Sequence, residues 1–405
     1  MKKKISAKFI LVFALFLLGG HLIVAQTPRV FVLNAKILSE RKAKIFDAKA
    51  PDTSYKAAIE NIDNEAKKAL KVEVRSIVTK EAMPPSGDKH DYVSQAPYFW
   101  RNPNTADGFP YIRKDGERNP EIHRFPDHSL LDAMIQTVDK LATAYYFTEK
   151  EEYAARASEI LRMWFLDDKT KMNPNLNFAQ AIPGLNTGRG IGIIETAEFT
   201  RVVDSIGLIG GSKSWKKEDQ AGLEAWFAKY LEWMTTSKNG LDEAAAKNNH
   251  GMYYDDQVVS FALFTGKTDF AKKQLEQVSK KRIEKQIESD GRMPLELERT
   301  KSWNYSNFNL EAMIRLAEMG GNVGIDLWTF QEKDGSGIRR AMEFLYPFLN
   351  TENKWKYEQI EGFEPERLLP LLRRAARKYT DEKFQKMMAT VPKLPATSSY
   401  LLLSF

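Results

Sequence analysis

Apolar side chains recur three and four residues apart many times along the chain, and this spacing limits the fold more than any other feature. In an α-helix such residues share one face, because 3.6 residues complete a turn. Alternation of the kind that marks β-strands is scarce, so the pattern predicts an all-α protein. The stripes occupy residues 59–70, 131–145, 153–164 and 223–234, and further helices are predicted around 190–206, 255–264, 268–287, 307–318, 337–347 and 365–377.

The predicted helices follow one another in pairs that are separated by short polar breaks, such as Thr148-Glu149-Lys150. Hairpins of this kind can pack side by side around a central groove, which gives an (α/α) toroid (incomplete barrel). A helical solenoid is the alternative, and it would show a repeat of fixed period. The sequence contains no such repeat, so the toroid is favoured.

Residues 1–25 have the features of a secretory signal peptide. Four lysines precede a short apolar run at 9–18, which ends at Gly19-Gly20 before it reaches the length of a membrane span. A retained N-terminal anchor is the alternative. We expect the segment to be removed, which leaves residues 26–405 as a single domain in the periplasm or outside the cell.

The charge and the cysteine count narrow the function further. The first 25 residues carry four lysines and no acidic residue, so their removal lowers the formal charge from +6 to +2. A chain of that charge does not suggest binding to nucleic acid, and it has no other apolar segment long enough for a membrane. Without cysteine it has neither disulfides nor a lipid anchor on an N-terminal cysteine, so its core alone must stabilise it.

Four stretches interrupt the helical pattern with polar, aromatic and glycine residues. Long irregular segments in a compact domain often carry binding and catalytic residues. We therefore expect the functional site in these loops, which are 83–128, 173–192, 245–256 and 289–307.

The last two of these loops hold the most distinctive groups. Asn249 and His250 place an amide and an imidazole together at a turn, with a helix cap and a structural histidine as the alternatives. Arg299, Trp303 and Tyr305 bring a guanidinium, an indole and a phenol into one segment, with a surface ion pair and a core tyrosine as the alternatives. Neither segment establishes a site by itself.

The first loop mixes aromatic rings with cationic side chains. Rings stack on sugar faces and cations pair with carboxylates, so the mixture suits an acidic carbohydrate. Packing of the loop by its own aromatics is the alternative. His123 and His128 lack the carboxylate pattern of a zinc-binding helix, so neither a metal nor another cofactor is predicted. The predicted substrate-binding residues are His90, Tyr92, Trp100, Arg113, Arg189 and Trp303.

Together these stretches resemble the alginate lyase superfamily, and within it polysaccharide lyase family thirty-eight more than family five. The resemblance rests on Pro-Pro-Ser-Gly-Asp-x-His-Asp-Tyr at 84–92, the run from 173 to Gly188-Arg189-Gly190, the Asn-His pair, and an arginine and a tyrosine six residues apart. It implies an (α/α) toroid that cleaves alginate-type or glucuronan-type polymers by β-elimination. The working residues that it implies are Asn249, His250, Arg299 and Tyr305, with Arg292 as the weaker candidate for the arginine.

β-Elimination at a uronic acid sets three requirements. The sugar carboxylate must be neutralised, a task suited to Asn249 with help from His250 or Arg299. The C4 oxygen must be protonated on leaving, and Tyr305 is the expected acid because a phenol keeps its proton at neutral pH. The C5 proton must be removed, by Tyr305 where proton and oxygen share a face of the sugar, as in mannuronate, and by His250 where they do not.

Two other functions are compatible with the sequence. An inverting glycoside hydrolase on a similar toroid would use Asp255 or Asp256 with Glu296 as acid and base. A non-catalytic protein would keep the groove and bind acidic oligosaccharides without shortening them. The presence of all the motif residues favours the lyase.

Overall fold

The computed structural model describes residues 27–350 and 352–403, and the predicted signal peptide lies outside this range. No helix among the described residues is long and apolar enough to cross a membrane. The helices are α1 (Ala35–Ile45), α2 (Lys56–Ala69), α3 (Asp127–Thr148), α4 (Glu151–Phe165), α5 (Phe199–Ile209), α6 (Lys217–Thr236), α7 (Lys238–Ala244), α8 (Asn249–Phe264), α9 (Thr268–Gln274), α10 (Lys280–Gln286), α11 (Pro294–Leu297), α12 (Ser302–Gly320), α13 (Ile338–Leu345), α14 (Leu369–Ala375), α15 (Glu382–Ala389) and α16 (Tyr400–Leu403). The strands are β1 (Val93–Gln95), β2 (Phe99–Trp100), β3 (Ile112–Arg113) and β4 (Phe178–Ala181).

Four helices, α3, α5, α8 and α12, form an inner row in which each packs against the next. Other helices lie outside this row: α2 and α4 pack on α3, α6 packs on α8, and α13 and α14 pack on α12. The inner helices bury most of their residues, whereas α4 and α6 bury one face, as outer helices do. This arrangement confirms the predicted all-α fold and (α/α) toroid.

Helix α8 is buried along almost its entire length, and His250 is its one partly exposed residue. The predicted loop at 245–256 is therefore wrong from residue 249 onward, because a helix buried on every side shows no apolar stripe. The side chain of Asn248 caps the helix by accepting a hydrogen bond from the His250 N–H. Helix α12 likewise begins inside the predicted loop at 289–307, at Ser302.

The sequence predicts a single helix for 268–287. The structure has one continuous rod there, made of α9, a π-helical segment, Leu275–Ser279, and α10. Gln274 and Arg282, on either side of this segment, both reach Asp255 of α8. Gln274 Nε2 donates to Asp255 Oδ1 at 2.9 Å, and Arg282 Nε donates to Oδ2 at 3.0 Å. Asp255 is fully buried, so these contacts compensate for the water that its carboxylate has lost.

Strands β1 and β4 join the first two loops to each other, whereas β2 and β3 both belong to the first loop. Strand β1 pairs with β4 in parallel, and β2 pairs with β3 in antiparallel fashion. A fully buried ion pair, Lys80 Nζ to Asp127 Oδ2 at 2.8 Å, joins the segment just before the first loop to the start of α3. Burial raises the pKa of Asp127 to about 6, although Lys80 opposes the shift. The loops are thus held where the inner helices begin.

Candidate active site

A cleft of about 670 Å³ lies where inner helices begin. Three of the four inner helices start at its wall: His128 and Ser129 of α3, Asn249 and His250 of α8, and Tyr305 of α12 line it. The 3₁₀ segment Gly190–Thr196, which leads into the fourth inner helix, contributes as well. Residues of the first long loop supply much of the remaining lining. The fold therefore brings chain segments that are far apart in sequence to one cavity.

Helix ends and side chains both make this cleft attractive to anions. The first N–H groups of a helix have no partner within the helix and give its start a partial positive charge. Among the described residues, Glu195 is the one carboxylate of the lining, and it accepts hydrogen bonds from the Tyr92 and Ser94 hydroxyls at 2.9 and 2.6 Å. A ligand with several negative charges suits such a cavity. The arginines that line it are Arg113, Arg118, Arg189 and Arg299.

The phenol of Tyr305 lies in the cleft with its oxygen 2.9 Å from the Tyr98 hydroxyl. The Arg299 guanidinium carbon is 3.8 Å from the centre of the Tyr305 ring, which is a close cation–π contact. Burial raises the pKa of Tyr305 above its ordinary value and Tyr98 adds to the shift, whereas Arg299 opposes it. Because burial prevails, the phenol is protonated at neutral pH and can donate a proton.

Asp115 of the first loop holds Arg299 through a bidentate ion pair. Arg299 Nε donates to Asp115 Oδ2 at 3.0 Å and Nη2 donates to Oδ1 at 2.7 Å. Burial alone would raise the pKa of Asp115, but the hydrogen bonds and charge of Arg299 hold it well below its usual range. The pair leaves Nη1 of Arg299 without a hydrogen-bond partner among the described residues, so this nitrogen can meet a ligand carboxylate.

His250 is paired with a buried carboxylate from the preceding helix. Its Nδ1 lies 2.8 Å from Oε1 of Glu243, a residue of α7 that is 1 % exposed. An ionised carboxylate can only accept a hydrogen bond, so beside one Nδ1 would carry the hydrogen and Nε2 of a neutral ring would be left as a proton acceptor. The imidazole side chain is 16 % exposed and lines the cleft. This arrangement suits a general base.

Asn249 is fully buried at the cleft wall and bonded to Glu296 of α11. The backbone N–H and the side-chain Nδ2 of Asn249 donate to the two Glu296 oxygens, each at 2.7 Å. Burial raises the pKa of Glu296 to about 7, and the Asn249 hydrogen bonds oppose the shift. A carboxamide nitrogen carries two hydrogens, so one N–H of Asn249 remains to meet a ligand while Glu296 fixes the direction of the amide.

Arg189 is held between Gln180 and Phe99. Its Nε and Nη2 donate to the backbone and side-chain oxygens of Gln180 at 3.1 and 2.9 Å, and its guanidinium carbon lies 5.0 Å from the centre of the Phe99 ring. Burial lowers the pKa of Arg189 to about 10, which leaves it cationic at neutral pH. Gln180 has a left-handed φ of 48°, a conformation that costs a non-glycine residue about 1–3 kcal/mol. The backbone is therefore strained at Gln180, the residue that orients Arg189.

The structure brings six of the predicted site residues to the cleft and leaves the others out. The predicted role of Trp303 is corrected, because its ring is fully buried and its indole N–H donates to the Glu364 carbonyl at 2.8 Å. Tyr92 is also fully buried, so it holds Glu195 instead of stacking on a ligand. The six residues that line the cleft are Asn249, His250, Arg299, Tyr305, Arg113 and Arg189.

His90 and Trp100 lie outside the lining of the cleft. His90 Nδ1 hydrogen-bonds to the Lys171 carbonyl at 2.5 Å, and the Trp100 indole N–H donates to the Glu117 carbonyl at 3.0 Å. Both contacts stabilise the loops that carry them. The structure thus gives these two side chains a place in loop packing.

Sequence reasoning missed several residues that define the site. Asp115 pairs with an arginine 184 residues away, and Glu243 belongs to a different helix from His250, so no local spacing marks either pair. Tyr98 lies two residues before Trp100 in the aromatic cluster of the first loop, and that cluster could have indicated Tyr98 as a site residue. His123 and His128, considered only as metal ligands, also line the cleft.

Comparisons with known proteins identify the family to which the chain belongs. The sequence model of a family described as alginate lyase matches residues 76–355. An alginate lyase from Bacteroides ovatus, known from its crystal structure, is 38 % identical, with a TM-score of 0.87 over 93 % of this chain and 99 % of that one. Alginate lyase A1-III from Sphingomonas species A1 is 18 % identical, with a TM-score of 0.57 over 95 % and 97 % of the two chains. Curated proteins gave no match.

The family match covers more than half of the chain, and the similarity to the Bacteroides ovatus enzyme extends over nearly all of it. The chain therefore belongs to the alginate lyase family. It is a polysaccharide lyase, as the resemblance implied. The Sphingomonas enzyme, at its lower identity, supports the fold alone.

Proposed function

We propose that this lyase cleaves alginate, or a closely related uronic-acid polymer, by β-elimination and leaves 4,5-unsaturated ends. The observation that carries the proposal is the meeting of a protonated phenol, Tyr305, and a carboxylate-bonded imidazole, His250, in one cleft lined by arginines. The predicted signal peptide at 1–25 would direct this activity to the periplasm or the cell exterior. The acidic polymer is attracted by the cationic lining and by the helix starts.

Neutralisation of the sugar carboxylate is assigned to Asn249 and Arg299. The free N–H of Asn249 and the unpaired Nη1 of Arg299 are donors that could meet the two oxygens of that carboxylate. Removing the C5 proton places negative charge on this group, so donors fixed in advance stabilise the transition state more than water does. Glu296 holds Asn249 in place by a hydrogen bond, and Asp115 does the same for Arg299.

The proton transfers are assigned to His250 and Tyr305. The base takes the C5 proton, the electrons of that C–H bond form the C4=C5 double bond, and the C4–O bond breaks as Tyr305 protonates the leaving oxygen. His250 Nε2 is the base where C5 proton and C4 oxygen lie on opposite faces of the sugar. Where they share a face, Tyr305 carries out both transfers and must first lose its proton, which its burial disfavours.

The carboxylates of the rival hydrolase mechanism are poorly placed for catalysis. Asp255 and Asp256 are fully buried and outside the cleft lining, and Asp255 is bonded to Gln274 and Arg282. Glu296 is occupied by Asn249. An inverting hydrolase needs two carboxyl groups that face the substrate and a water molecule, so elimination is favoured.

The products of alginate digestion test the proposed reaction directly. Elimination leaves a C4=C5 double bond conjugated with the carboxylate, so we expect ultraviolet absorbance to rise with each cut. Parallel assays on mannuronate blocks, guluronate blocks and glucuronan identify the preferred sugar. Chain shortening without a rise in absorbance would indicate hydrolysis, and binding without shortening would indicate a non-catalytic protein.

The pair between Glu243 and His250 predicts a second result. Replacing Glu243 by glutamine keeps a hydrogen-bond acceptor but removes the charge that stabilises a protonated imidazole. We expect kcat to fall at least about 10-fold on a polymer for which His250 is the base, and the pH at which activity rises to move downward. Asp242→Asn is the matched control, because Asp242 is an exposed neighbour that pairs with Lys238. An unchanged rate and pH profile for Glu243→Gln would contradict the assignment.

A further inference from the structure

A second groove lies behind the catalytic cleft, between the loop that precedes α8, the rod formed by α9 and α10, and helix α11. It has a volume of about 460 Å³. Its cations are Lys247, Lys281, Arg282 and Lys285, its apolar residues are Val278 and Leu295, and two glutamines complete it. We call it the basic groove. Within the described part of the chain, no carboxylate lines it.

The three lysines of the basic groove are free to bind a ligand. Lys247, Lys281 and Lys285 are exposed, and none has a salt-bridge partner among the described residues. Arg282 differs, because its guanidinium pairs with Asp255 and donates to the Ala244 carbonyl at 2.9 Å. Arg282 therefore fixes the wall of the groove, while the lysines give it a net positive charge.

The basic groove also offers apolar surface for the faces of sugar rings. Val278 and Leu295 are 38 % and 42 % exposed, so both present apolar surface to the groove. Val278 belongs to the π-helical segment Leu275–Ser279, and such segments frequently occur at functional sites. Lys281 and Lys285 are four residues apart on α10 and so share a helix face.

The basic groove and the catalytic cleft share a wall. Lys247 directly precedes Asn248, which lines the cleft, and Gln286 of the groove donates from Nε2 to the Asn248 carbonyl at 3.1 Å. On the other side, Leu295 directly precedes Glu296, which holds Asn249. The two cavities are therefore close neighbours, on either side of the segment that begins α8.

We propose that the basic groove is a second binding site for the acidic polysaccharide, which holds a part of the chain remote from the bond being cut. This inference rests on the proposed function, because it takes the same polymer as the ligand. The positive charge, the lack of carboxylates among the described lining residues and the exposed apolar side chains match a polyuronate. A short oligosaccharide held by the cleft alone gains nothing from the groove.

The double variant Lys281→Gln/Lys285→Gln tests the proposal on alginate polymer and on a uronate tetrasaccharide. We expect KM for the polymer to rise about fivefold, since exposed charge contacts are individually weak, while kcat and all tetrasaccharide constants stay the same. Added salt should reduce the difference from the wild type. Lys272→Gln/Lys273→Gln, on the same rod but outside the groove, is the matched control and should behave as the wild type.

An unchanged KM for the polymer, an equal rise in the control variant, or an equal rise for the tetrasaccharide would each overturn the proposal. Failure of the proposed function has a different signature, in which the wild type itself releases no unsaturated product. In that case, retardation of the wild type and of the two double variants in an alginate-containing native gel still measures how strongly the groove binds alginate. Equal retardation of Lys281→Gln/Lys285→Gln and the wild type would rule the groove out.

Discussion

Replacing Tyr305 by phenylalanine is expected to lower kcat on alginate by about 10³-fold, with little change in KM. The substitution removes the proton that the leaving oxygen needs, and general acid catalysis of this kind is typically worth about 10²–10⁴-fold. The ring stays in place beneath Arg299, so the cation–π contact is kept. Loss of one hydrogen bond, to Tyr98, costs about 1 kcal/mol, and the variant should fold. Initial rates from ultraviolet absorbance, with thermal unfolding as a check, measure the effect.

Tyr98→Phe is the matched control for this experiment. It breaks the same hydrogen bond from the other side and leaves the Tyr305 phenol intact. We expect a loss of less than about 10-fold, which is what one neutral hydrogen bond is worth. Equal losses for the two variants would show that the hydrogen bond matters and the Tyr305 proton does not. Full activity of Tyr305→Phe would contradict the assignment of Tyr305 as the general acid.

Replacing His250 by alanine is expected to separate the two stereochemical cases. On guluronate blocks, where the C5 proton and the C4 oxygen lie on opposite faces, loss of the base should reduce kcat by about 10²–10⁴-fold. On mannuronate blocks Tyr305 can carry out both proton transfers, so kcat should fall by about 10-fold or less. The measurement is the ratio of kcat on guluronate blocks to kcat on mannuronate blocks, compared between the wild type and the variant on the same polymer preparations.

His123→Ala controls for the loss of an imidazole from the cleft, because His123 also lines it. That variant should change the two rates equally and modestly. Equal large losses for His250→Ala on both polymers would assign His250 to a step common to both, such as neutralising the carboxylate. A wild type inactive on guluronate blocks would leave His250 without a polymer on which to act as the base, and would contradict the division of roles.

The layers of the fold could be predicted because the outer helices are amphipathic. The break at Thr148-Glu149-Lys150 marks the boundary between α3 and α4, where Glu149 adopts a left-handed φ of 57°. The inner helix α8 could not be recognised at its start, because burial on all sides removes the periodic signal. Helical periodicity reports contact with water, so it fails where a helix has none.

The candidate site could be predicted only in part. Asn249, His250, Arg299 and Tyr305 meet in the cleft. The carboxylates that support them could not be assigned, because Asp115 lies 184 residues from Arg299 and Glu243, although close in sequence, belongs to the helix before that of His250. Trp303 was misplaced because its segment was taken for a loop. In α12 it lies two positions from Tyr305, and residues two apart on a helix point in nearly opposite directions.

The positive starts of α3, α8 and α12 consist of peptide groups, which all residues share. No single side-chain substitution removes them, although the neighbouring carboxyls of Asp127 and Glu296 change charge with pH. Exchange of one arginine in the cleft for a neutral residue would therefore alter which sugar is preferred before it abolished the attraction to a polyanion. The scaffold would then contribute affinity that point mutations in the cleft leave largely intact, while the side chains would be free to change which polymer is preferred.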